Sequence, residues 1–112
     1  MPNTIHELLY LLREQQGAML GRKSAEVLSA FLAGYAFGRK PCEDLETQAF
    51  LRKFNGWVRK RFHREDEGQG WGKIIAFYSS DEGEEWKLFW KLYDEFMAKR
   101  NVRRSGATEA KA

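Results

Sequence analysis

WGKIIAFY, residues 71–78, is the run on which the choice between an all-α and a mixed fold turns. Its two isoleucines and three aromatic side chains suit a buried strand as well as a buried helix, because an apolar run this short carries no decisive periodicity. A strand needs a neighbour to pair its backbone amides and carbonyls. No other segment of the 112 residues offers one, so the run is predicted to be a short helix and the chain all-α. On its N-terminal side HREDEGQG, residues 63–70, has two glycines and no large apolar side chain, which marks an interior loop.

Beyond the run, Ser80 or Asp81 is placed to cap a further helix. Glu84 stands three residues past Asp81 with Glu85 beside it, a carboxylate-rich first turn that suits the positive end of the helix dipole. At 100° per residue, Lys87, Lys91, Asp94, Glu95 and Ala98 share one arc of this helix. Trp86, Leu88, Phe89, Trp90, Leu92, Tyr93, Phe96 and Met97 occupy the other. That apolar arc exceeds half the circumference. Unless two helices flank it, one edge, either Trp86, Trp90 and Met97 or Leu88, is left as a partly exposed ridge. Phe77, Phe89, Tyr93 and Phe96 are read as core. After about Asn101 the composition turns small and polar, which predicts a helical domain over 1–101 and a disordered tail over 102–112.

Toward the N-terminus, a third helix is predicted from near Glu43 to about Phe62, with Phe50, Leu51, Phe54, Trp57, Val58 and Phe62 on one stripe. Ser24 caps a second helix that is apolar nearly all round, through Val27, Leu28, Phe31, Leu32, Tyr35 and Phe37, and ends at Gly38. Such a helix belongs at the centre of a bundle, with Ala25, Ala30, Ala33 and Gly34 allowing close approach. Thr4 and Glu7 form a capping box for the first helix, in which Ile5, Leu8, Leu9 and Leu12 recur at helical spacing before a stop at Gly17. The expected architecture is a single compact bundle of about five helices.

The chemical inventory argues against an enzyme. Cys42 is the single cysteine and His6 and His63 the two histidines, too few soft ligands for a closed zinc site and no partner for a disulfide. Carboxylates are plentiful, but in segments that read as solvated, where they keep ordinary acidity. There is no calcium loop, phosphate loop or HExxH, and no cofactor is expected. The N-terminal segment has no basic leader, and residues 25–38 are shorter than the roughly 20 apolar residues a bilayer crossing needs. Location in the cytoplasm follows as the expectation.

Charge points to two kinds of partner. Sixteen acids nearly balance nineteen bases. Two basic clusters, RKRFHR at 59–64 and KRNVRR at 99–104, have aromatics nearby and open the alternative of a small nucleic-acid-binding regulator. The acidic sequel Glu65, Asp66 and Glu67 offsets the first cluster, and cations at helix C-termini follow from the dipole alone. Those three carboxylates and Asp81, Glu82, Glu84 and Glu85 flank one short helix. Together they are expected to build a negative surface for a basic protein partner, with Trp71, Trp86 and Trp90 as aromatic anchors. Self-association through the exposed ridge is a further option.

The segments at 11–38 (LLREQQGAMLGRKSAEVLSAFLAGYAFG), 50–62 (FLRKFNGWVRKRF) and 70–96 (GWGKIIAFYSSDEGEEWKLFWKLYDEF) resemble a group of small bacterial proteins associated, as immunity proteins, with polymorphic secreted toxins. The resemblance spans about residues 5–100 and rests on hydrophobic and turn positions. It departs at Gln16, where an Arg-Pro pair is common, and at Leu20, where the loop carries an aromatic; Gly17, Met19, Gly21 and Ser24 are therefore read only as turn and cap residues. What it implies is stoichiometric neutralisation of a cognate toxin by binding, without turnover.

Overall fold

The computed structural model describes residues 4–16, 18–39, 44–64 and 68–110, with side chains described through Arg100. It contains five helices: α1 (Ile5–Glu14), α2 (Ala25–Phe37), α3 (Leu45–Arg61), α4 (Trp71–Phe77) and α5 (Glu82–Ala110). The described residues include no strand, and the 71–78 run is helical through Phe77, with Tyr78 as its C-cap, as its lack of a strand partner implies. Local chemistry sets most boundaries. Thr4, Ser24, Asp44 and Asp81 each accept a hydrogen bond from the backbone amide three residues on, which satisfies a donor that the first turn leaves unpaired. α5 continues past Asn101, the expected limit of the helical domain, to Ala110. Gly17 and Cys42 lie outside the described residues.

The centre of the bundle is α4, the shortest element. It packs against α2, α3 and α5 and buries Trp71, Gly72, Ile74 and Ile75. Seven residues do not hold a helix by themselves, and its neighbours supply what it lacks. Gly70 offers no side chain to cap the first turn; Asn55 of α3 does so across the gap, its Oδ1 accepting the Trp71 amide at 2.9 Å. Gly72 lets α4 lie directly on α2, since a Cβ there would meet the Ser29 Cβ at 2.8 Å and the Ala25 carbonyl at 3.0 Å.

The bundle departs from the expected arrangement at α2 and at Phe77. α2 is not the central helix. It buries Ala25, Leu28, Leu32 and Ala36, whereas Ala30, Ala33 and Gly34 face solvent and Phe37 is 93% exposed. An all-round apolar sequence shows which faces are able to be buried, and this bundle has neighbours for only one of them. Phe77 is not core either. Trp71, Ile74 and Ile75 direct α4 inward, and Phe77 comes about 200° after Ile75, on the far side; it is 68% exposed.

Around α4 the core is aromatic. Phe54 stacks on Phe50 at 5.5 Å between centroids and meets Trp71, Phe89 and Phe96 edge-on. α1 closes the other side of α5: Arg13 makes a paired contact with Asp94, at 2.9 and 2.8 Å, and its guanidinium lies 5.0 Å from the Trp90 ring centroid. Trp86 and Trp90 are thereby buried, and no Trp ridge remains along α5. Among the described residues no helix is long and apolar enough to cross a membrane.

Candidate partner-docking surface

The acidic turn leading α5 is present, but three of its four carboxylates, Asp81, Glu82 and Glu85, make contacts inside the molecule. Asp81 Oδ1 accepts the Glu84 amide at 2.9 Å as the α5 cap. Glu82 pairs with Arg22 in the α1–α2 loop, and the hydrogen bond from that guanidinium holds its carboxyl below the ordinary range. Glu85 Oε1 accepts the Ala25 amide at 2.9 Å and so caps α2 from 60 positions away. Asp81 and Glu84 are both exposed, and of the two it is Asp81 whose carboxylate is spent on the helix cap. Glu65, Asp66 and Glu67 lie outside the described residues. The expected anchors Trp71, Trp86 and Trp90 are all buried, so each supports the bundle from within.

The exposed aromatics are others. α3 ends with His63 in the left-handed region, at φ 56°, where its amide bonds to the Lys60 carbonyl and the next amide, of Arg64, reaches back to Arg59. This is the Schellman arrangement, with histidine in the position that glycine usually fills. It turns Arg64 toward the end of α4. There Arg64 Nε donates to the Tyr78 hydroxyl at 3.2 Å, and its guanidinium carbon sits 4.6 Å from the Phe77 ring centroid and 5.3 Å from that of Tyr78. Tyr78 in turn stacks on Phe62 at 4.7 Å and meets Phe77 edge-on at 5.1 Å.

With Phe77 68% and Tyr78 46% exposed, this corner between α4 and α5 presents two large rings that are already fixed in place. Beside them a depression of about 410 Å³ is lined by Tyr78, Ser79, Ser80, Glu84, Leu88 and two lysines of α5, Lys87 and Lys91. Rigid aromatics with an arginine, edged by charges of both signs, are the usual makeup of a protein–protein hot spot. Sequence reasoning missed Phe77 and Tyr78, although the signal was available. A helix confined between the 63–70 loop and the cap at 80–81 has two turns, and once 71, 74 and 75 face inward, 77 must face out.

Among the described residues no three side chains of His, Cys, Asp or Glu converge as a metal would require. The two basic clusters, by contrast, are brought together: Lys60 and Arg61 at the end of α3 face Lys99 and Arg100 of α5 across Trp57 and Phe96. Comparison with protein-family models, with curated proteins and with solved structures returns no match.

Proposed function

We propose that the protein is a non-catalytic inhibitor that neutralises a cognate bacterial toxin domain in the cytoplasm by one-to-one binding. The α4–α5 corner is its docking surface. The observation that carries this reading is the exposure of Phe77 and Tyr78 under a fixed Arg64, in a bundle whose other large rings are mostly spent on the core. The resemblance of residues 5–100 to immunity proteins supplies the class of partner. Within the acidic turn, Glu84 is the residue available to it, since Asp81, Glu82 and Glu85 are engaged at home.

The test is co-expression with the product of the neighbouring gene, followed by co-purification and titration. A one-to-one complex is expected, and Phe77→Ser combined with Glu84→Lys should weaken it by about 2 kcal/mol or more, the range of hot-spot losses, while the circular dichroism of the free protein is unchanged. Reversing Asp81, Glu82 and Glu85 is a poor probe, because it removes two helix caps and an ion pair. Unchanged affinity in the double variant would sink the corner as the interface, and absence of any complex would sink the inhibitor reading.

A further inference from the structure

We infer that the cleft between the last turn of α3 and the middle of α5 binds a nucleotide, its phosphates held by Lys60, Arg61, Lys99 and Arg100 and its base stacked on Trp57. The cleft encloses about 300 Å³ and is lined by those four cations with Trp57 and Phe96. That volume is at the lower end for small-ligand sites, about 300 Å³ and above. This inference does not depend on the docking corner, which uses none of these residues.

Three observations converge on it. The helix dipole accounts for Lys60 and Arg61, which sit in the last turn of α3. It does not account for Lys99 and Arg100, which lie well inside α5, whose end is at Ala110. Bringing like charges together opposes folding unless an anion joins them. Glu95, 3.7 Å from Arg61, offsets one of the four charges and leaves the cleft positive.

The third observation is the aromatic wall. Trp57 is half-buried, backed by Phe54 at 6.2 Å and 22° and by the edge of Phe96 at 5.6 Å. Lys99 Nζ lies 5.8 Å from its ring centroid. A ring supported in this way is a platform on which a base stacks with little loss of conformational freedom, and a phosphate beside it draws the lysine off the ring into an ion pair. An acidic peptide would meet the charges and leave the platform unused. The shared ligand chemistry, base plus phosphate, comes either from a free nucleotide or from single-stranded RNA.

The full-length protein is titrated with ATP, octa-adenylate RNA, tripolyphosphate and hexaglutamate. ATP or octa-adenylate is expected to bind well above the other two, and whichever of the pair binds more tightly identifies the source. For a strand with three phosphates in contact, raising salt from about 50 to about 200 mM should weaken binding roughly twentyfold, from a slope near −0.7 per phosphate. Lys60→Glu with Lys99→Glu, both exposed positions, should lower affinity at least about tenfold, and Trp57→Leu about tenfold, as loss of one stacked base implies. Lys87→Glu with Lys91→Glu should change nothing. Equal binding of tripolyphosphate or hexaglutamate, indifference to the lysine reversals, or no binding of ATP or RNA at low salt overturns the assignment.

Discussion

Three residues show how position, and not type, decides a substitution's sign. Gly72 has no room for a methyl group, with Ser29 Cβ at 2.8 Å, so Gly72→Ala is expected to cost about 1–3 kcal/mol as an overpacked contact. Gly34 is helical with open space around it, so Gly34→Ala should gain about 0.5–1 kcal/mol, the helix-propensity difference. His63 holds a left-handed backbone; His63→Gly relieves that strain and should also be stabilising, by about 1 kcal/mol. Urea midpoints of the three variants check all three signs. A sequence shows each of these residues equally plainly. What it lacks is the separation between α2 and α4, which exists only once both have packed.

At the scale of the element, Asn55 ties α3 to α4 more specifically than any apolar pair does. Asn55→Leu keeps most of the volume and removes the acceptor of the Trp71 amide; a loss of about 1–3 kcal/mol is expected for the orphaned donor, with a weakened near-ultraviolet dichroism from Trp71. The helix starts at Thr4, Ser24 and Asp81 were legible because a cap is chemistry confined to four residues. The central place of α4 was not, since α2 is the more hydrophobic stretch, and hydrophobicity alone does not say which helices will be neighbours. The docking surface divides in the same way. The acids at 81–85 read correctly as a helix start, while the partners that occupy Glu82 and Glu85, Arg22 and the Ala25 amide, each lie 60 residues away.

For the whole molecule, α5 sets the shape: 29 residues span about 43 Å at 1.5 Å each, close to the longest extent of 47 Å. Along it, His6 joins three helices. Its Nδ1 lies 2.8 Å from the Tyr93 hydroxyl of α5 and its Nε2 3.4 Å from Glu46 of α3. Burial pushes the imidazole below its ordinary pKa, partly opposed by Glu46 and reinforced by Arg100, and burial likewise raises the Tyr93 phenol. The unfolded chain therefore takes up a proton near pH 6.5 that the folded chain resists. Stability is complete above that pH and falls as the pH drops through it toward the folded value. The urea midpoint should decline between about pH 7.5 and 5.5, and His6→Gln should flatten that decline.

The burial of α4 on three sides also makes it a clock. Seven residues cannot stay helical once exposed, so the amides of Ile74 and Ile75 have no local opening by which to meet solvent. Their deuterium exchange is expected to match the free energy of unfolding the entire chain, while amides at the open end of α2 near Phe37 exchange through fraying, orders of magnitude faster. Exchange at Ile74 or Ile75 faster than global unfolding would mean that α4 detaches on its own. Two amide resonances would thus report the lifetime of the whole fold.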